Sequence, residues 1–198
     1  MDTLNWVNEI EFILKEANMI GIGSTRKVYK YKNYVIKTFL HPLGYKQSMN
    51  EKHMYDVLHE KGIAEHIAPV LFLNEHYMVQ PLFQPLPLEQ ECTYDLNLQS
   101  DPRLTKDLSK ALQLLDSELD GFDFLDSGNY GLNNQGELVL IDYGMTKTLY
   151  EQEWVPLAEA GILPQIYSKM CNSCGIEKDI RLYGEQDTDI RCVACGKH

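Results

Sequence analysis

The chain is predicted to be an α+β protein in two units, a globular domain over residues 1–166 and a small metal-held tail over 167–198. Three observations predict this. Short strand-like runs separated by turn residues lie at 19–40 and 69–82. Two segments carry apolar residues at helical spacing: Leu4, Val7, Ile10, Leu14 and Ala17 in one, and Leu104, Leu108, Ala111, Leu112, Leu115 and Leu119 in the other. Four of the 5 cysteines stand as two Cys-x-x-Cys pairs near the C-terminal end.

The first amphipathic helix is expected to follow a cap at Asp2 or Thr3 and to pack on the domain. Residues 19–40 read as three strands, broken by a turn at Gly21-Ile22-Gly23 and another around Asn33. A helix over 47–60 follows, then strand-like stretches at 69–73 and 76–82 joined by a turn at Asn74. Pro81, Pro85 and Pro87 stop any regular element there and read as a linker at a hinge. The leucine-rich helix opens near Asp101-Pro102, and its leucines are core. An irregular acidic loop over 120–129 leads into a strand at 130–132, a turn at 133–136 and a strand at 137–141 that ends in Asp142-Tyr143-Gly144. The one clear boundary lies between Pro164 and Cys171.

With 198 residues, 44% hydrophobic and 24% charged, the chain has ordinary globular values. A formal net charge of -11 argues against nucleic acid as a partner, because backbone-directed affinity comes from Lys and Arg displacing counterions. No apolar run approaches the roughly 20 residues that cross a bilayer, so no membrane span is expected. The first residues are acidic where a signal peptide needs a basic region, which points to the cytoplasm. In that reducing compartment paired cysteines indicate metal rather than disulfides.

Several residues carry chemistry if the fold brings them together. Gly21-x-Gly23 followed by Val28 lets backbone pass close over phosphates, since no Cβ intervenes. Lys37 ends a strand. Glu51 shares a helical stripe with Met54, Tyr55 and Leu58, and a carboxylate on that apolar face needs a partner, which a lysine in the neighbouring sheet supplies. Asn129 and Asp142, joined through a tight hairpin, offer oxygen ligands of the kind Mg prefers.

In this order the motifs resemble the protein-kinase superfamily: a glycine-rich loop (IGIGSTRKVY), a strand lysine (VIK), a helix glutamate (NEKHMYDVL), a catalytic-loop segment (DSGNYG) and DYG in place of DFG. The resemblance implies a two-lobed fold, with an N-lobe to about residue 80 and a reduced C-lobe over about 81–166. It further implies that Gly21, Gly23, Ser24 and Val28 line the phosphates of ATP, that Lys37 contacts them and is held by Glu51, and that Asn129 and Asp142 bind Mg. Backbone around Val79 and Gln80 would meet adenine. The place of the family's catalytic aspartate holds Phe124, so Asp126 is the expected replacement base and Asp123 the other candidate. Arg26 replaces the third glycine, and the short stretch between Gly144 and Cys171 leaves no room for a full peptide-docking platform. The reading is an atypical ATP-dependent protein kinase acting on a Ser/Thr hydroxyl of a protein substrate. The alternatives are a pseudokinase adaptor and a small-molecule phosphotransferase.

Cys171, Cys174, Cys192 and Cys195 have the spacing of a tetrahedral zinc ribbon, each pair followed by a glycine that suits a tight turn. Four thiolates fill the shell, so the zinc is structural, and the near-neutral ribbon suits a protein partner. The six histidines show no ligand-like spacing among themselves, with His198 the one spare ligand, and Cys92 has no basic neighbour to make it a nucleophile.

Overall fold

The computed structural model describes residues 6–197 and is a mixed helix-and-sheet protein. Leu4, the caps expected at Asp2 or Thr3, and His198 lie outside the described residues, as does the side chain of Val7. Helix α1 (Trp6–Glu16) packs on the domain, as its pattern predicts, with Ile13 buried against Ile36, Tyr77 and Val79.

Three strands follow: β1 (Asn18–Ile22), β2 (Arg26–Tyr31) and β3 (Tyr34–Phe39). The reversal expected at Gly21 falls later, because Gly21 and Ile22 remain in β1 past a bulge and pair with Val28 and Lys27. Helix α2 (Pro42–Glu60) starts five residues before the expected position. Pro42 suits a first turn, where no N–H is needed, and His41 caps it by accepting the Leu43 N–H on Nδ1 at 3.2 Å. Gly44 allows a close contact in the first turn, since a Cβ there would lie 2.6 Å from the Thr25 carbonyl oxygen.

Strands β4 (Phe72–Leu73) and β5 (Tyr77–Pro81) complete an antiparallel sheet of order β1-β2-β3-β5-β4. The Asn74 side chain shapes the turn between them by accepting from the N–H groups of His76 and Tyr77. The proline segment is not wholly irregular: β6 (Gln84–Pro85) pairs with β7 (Tyr130–Leu132), which pairs with β8 (Leu138–Leu140). Pro85 is tolerated because β6 is an edge.

Helix α3 (Lys106–Glu118) is capped by Thr105 and begins after the Asp101–Arg103 turn rather than at it. Its buried residues Leu108, Ala111, Leu112 and Leu115 share one core with Met54, Leu58, Leu138 and Tyr143, so α2, α3 and the β7–β8 hairpin are held together by apolar burial. Segments α4 (Lys147–Leu149), a π turn (Tyr150–Trp154) and α5 (Val155–Glu159) form one continuous helical stretch. The tail is a hairpin of β9 (Gln165–Met170) and β10 (Glu177–Leu182) with a last short turn at Val193–Cys195. Among the described residues no helix is long and apolar enough to cross a membrane.

Candidate functional site

Two chemical centres emerge. In the first, β3 turns Lys37 inward and α2 turns Glu51 toward it; both are buried, Glu51 completely. The Lys37 Nζ donates to the Ile141 carbonyl at 2.8 Å and lies 3.3 Å from Glu51 Oε2 and 3.9 Å from Asp142 Oδ2. The sequence therefore locates a real ion pair: a carboxylate on an apolar helical stripe is neutralised by a strand amine.

A second cation joins them. Arg26, at the head of β2, places Nη1 2.5 Å from Glu51 Oε1 and Nη2 2.5 Å from Asp142 Oδ1, with its side chain almost wholly buried. Two cations thus face two carboxylates. Burial pushes the Glu51 carboxyl above its ordinary range despite Lys37 and Arg26. Burial acts in the same direction on Asp142, but there Arg26 and Lys37 prevail and hold it below the ordinary value. Sequence reasoning noted Arg26 as a missing glycine and assigned it no part.

The DYG turn is shaped by two close approaches. Tyr143 is buried in the core and donates its hydroxyl proton to the Ala68 carbonyl at 2.6 Å, which leaves Asp142 on the opposite side. Any Cβ on Gly144 would collide with the Gln47 backbone of α2, so only glycine fits.

A cavity of about 370 Å³ opens beside Asp142. Of the residues singled out from sequence, Gly23, Ser24, Val28, Asp123, Asp126, Asn129 and Asp142 line it, with Lys37 and Glu51 behind Asp142. Gly21 lies within β1, and neither it nor Val79 nor Gln80 lines the cavity. The Val79 carbonyl accepts the Leu71 N–H at 2.9 Å inside the sheet, and the Gln80 side chain turns inward to donate to Glu51 Oε2 at 3.1 Å. The opposite wall, unforeseen from sequence, is a stack of Phe122, Tyr150 and Trp154 with ring centroids 4.5 and 5.2 Å apart.

The two candidate bases differ. Asp126 caps the turn Ser127–Asn129, its Oδ1 accepting the Gly128 N–H at 2.8 Å. Asp123 has a left-handed backbone (φ 65), and its carboxylate accepts from the Asn129 Nδ2 at 3.3 Å while its carbonyl accepts from the same nitrogen at 2.7 Å. Burial raises both carboxyls, and for Asp123 the neighbouring Asp126 charge adds to it. Phe124 packs against the core and does not line the cavity.

The second centre lies in the tail, where the sulfurs of Cys171, Cys174, Cys192 and Cys195 all lie within 4.8 Å of one another. None forms a disulfide. The Cys192 N–H points at the Cys171 sulfur at 3.2 Å, and backbone N–H groups, led by that of Cys174, lower the Cys171 pKa to about 6.

No family model matches the chain, and no curated protein matches it. Among solved structures it is similar to a Legionella pneumophila kinase bound to IP6, at 17% identity over 65% of this chain and 47% of that one, with a TM-score of 0.42. The streptomycin–ATP–APH(2")-IIa ternary complex is similar at 13% identity over 44% and 30%, with a TM-score of 0.35. Macrolide 2'-phosphotransferase MphH from Brachybacterium faecium is similar at 14% over 36% and 25%, with a TM-score of 0.26. The chain spans less than half the length of these structures, and likeness at this level carries no argument about activity.

Proposed function

We propose that the chain is a reduced, atypical protein-kinase-like phosphotransferase that binds Mg-ATP beside Asp142, with a zinc-held ribbon behind it. The observation that carries this is the convergence of Lys37, Glu51 and Asp142, drawn from a strand, a helix and a hairpin end, at the edge of a cavity that also holds Asn129 and the loop residues Gly23 and Ser24. Catalysis of phosphoryl transfer is mostly positioning and charge neutralisation, and these are the groups it needs.

Asp142 is held ionised, and Asn129 spends its Nδ2 on Asp123, which leaves the amide oxygen as the atom for a metal; both suit Mg. Asn129 and Asp142 would hold Mg, which would supply positive charge to offset that of the phosphates. Lys37 orients the phosphates while Glu51 fixes Lys37. Asp123, which shares Asn129 with the proposed metal site, is the base in this reading, and Asp126, the replacement expected from sequence, is the other candidate; each has one carboxylate oxygen engaged. Asp123 takes the proton from an acceptor hydroxyl as its oxygen bonds to the γ-phosphorus and the bond to the ADP oxygen breaks; a raised pKa suits a base near neutral pH. The Ser/Thr hydroxyl of a protein is the acceptor in this reading, and the small cavity with its aromatic wall serves equally for a small-molecule alcohol.

The four thiols converge in the set that zinc takes in structural sites, and Cys171 is already inclined to ionise, so zinc fits the tail. Incubating the purified chain with γ-labelled ATP and Mg tests the whole reading: transfer to an added protein or to the chain itself should be lost in Lys37→Ala and Asp142→Ala. A second reading, a pseudokinase adaptor, is favoured by Phe124 at the usual aspartate position and by Arg26 on the Asp142 oxygen that would meet Mg. Absence of thermal stabilisation of wild type by ATP with Mg or Mn would support it, whereas stabilisation without transfer would indicate a nucleotide-gated scaffold.

A further inference from the structure

A third feature stands apart from both centres. On β10, Arg181 is 4% exposed, and its Nε and Nη1 have no hydrogen-bond partner among the described residues; Nη2 donates to the Tyr183 hydroxyl at 3.1 Å, and the guanidinium lies 5.7 Å from the centre of the same ring. Burying an unpaired cationic donor is costly, and such a group in a folded protein calls for a ligand. Its environment already disfavours the charge, since desolvation by burial lowers the Arg181 pKa.

Arg181 lines a cavity of about 260 Å³ between the tail and the sheet domain. Lys27 of β2 and His41 line it too, and no carboxylate does. On a chain of net charge -11, a recess lined by Arg181, Lys27 and an imidazole, with no carboxylate in its lining, is a local field for an anion. His41 is the N-cap of the 19-residue helix α2, which fixes its ring at the start of that helix. Because His41 Nδ1 accepts from the Leu43 N–H, the neutral ring carries its proton on Nε2 and has a donor to offer. The volume is below the roughly 300 Å³ at which drug-sized pockets begin, so the ligand is compact.

We propose that the Arg181–Lys27–His41 recess binds a phosphate-type oxyanion, either free phosphate or a single phosphoryl group on a side chain. It lies on the other side of the loop that borders the Asp142 cavity: Ser24 lines both, and its hydroxyl donates to the Pro164 carbonyl at 2.7 Å. The proposal does not depend on the kinase-like reading, because it needs neither nucleotide nor Mg.

The test is calorimetric titration of the zinc-loaded full chain with inorganic phosphate, without Mg, at ionic strength held constant with chloride. Wild type should bind one phosphate saturably, Arg181→Gln and Lys27→Gln should each weaken it tenfold or more, and Asp142→Asn should bind as wild type does. Absence of saturable binding to wild type, unchanged binding in Lys27→Gln, or loss in Asp142→Asn alone would overturn the proposal. Lys27 is partly exposed, so Lys27→Gln decides the matter even if Arg181→Gln does not fold. A parallel titration with phosphoserine separates the sources: tighter binding than phosphate assigns the recess to a phosphorylated side chain, and equal binding assigns it to the free ion.

Discussion

The cleft around Glu51 and the cysteine cluster each crowd together groups that repel or strand one another, and they resolve the problem in opposite ways. In the cleft, two cations and two carboxylates drawn from residues 26 to 142 neutralise each other within the protein. In the tail, four thiols sit together, and the nearby Lys178 and Arg191 pair with Glu91 and Asp189 instead. The first centre is neutralised by its own side chains, whereas the second gathers four thiols of the kind a structural metal takes. Stability should therefore depend on a ligand in one place and on intact side-chain pairing in the other.

The largest expected effect follows from the tail. Its apolar core is little more than Ile180, Leu182 and the buried Cys171 and Cys192, too small to support a fold of its own. Metal binding would supply on the order of 10 kcal/mol to such a unit. Chelation, or Cys171→Ser, should abolish amide-exchange protection in β9 and β10 while β2, β3 and β5 keep theirs. Mild acid should act likewise, because protons compete with zinc for thiolates. Asp142 behaves differently. Its folded pKa lies below 3.8, so its contribution is present above that value and lost only as pH falls through the lower folded one. At pH 5.5 the tail should lose zinc while the Arg26–Asp142 pair persists; a tail still protected after chelation would sink the contrast.

What was legible in the sequence divides along the same line. The cysteine cluster could be read from spacing because its ligands are neighbours in the chain. The Lys37–Glu51 pair could be read because a charge on the stripe of Met54 and Leu58 demands a partner. Arg26 could not: its partners lie 25 and 116 residues away, and nothing local distinguishes a buried guanidinium from a solvated one. The start of α2 was hidden because Gly44 serves a contact with Thr25 that only the folded chain reveals. Gln80 was read as a backbone contact, yet its side chain is recruited to the buried Glu51, a demand arising 29 residues away.

Next in size is removal of the carboxylate at the centre of the cleft. Glu51→Ala leaves Arg26, Lys37 and Gln80 facing an empty, desolvated space, and breaking a buried ion pair from one side costs about 3–5 kcal/mol. Urea unfolding of the sheet domain should show a loss of that order, with zinc content unchanged. A loss below about 1 kcal/mol would mean that water enters the cleft and that the pairing is weaker than its burial implies.

The smallest effect is the most informative about function. In the proposed reading Arg26 and a magnesium ion would compete for the same face of Asp142, since a guanidinium 2.5 Å from Oδ1 occupies one of the oxygens a metal would need. Arg26→Met keeps much of the apolar stem and removes the competitor, while Glu51 retains Lys37 and Gln80, so the variant should lose less stability than Glu51→Ala. Mg-ATP should then bind about three- to tenfold more tightly, a gain of up to roughly 1.4 kcal/mol. Equilibrium binding of a fluorescent ATP analogue with Mg measures it. Weaker binding in Arg26→Met would mean instead that the guanidinium swings onto the phosphates when nucleotide enters. In that case the cleft would share the tail's logic after all, holding its charges in reserve for a ligand of opposite sign.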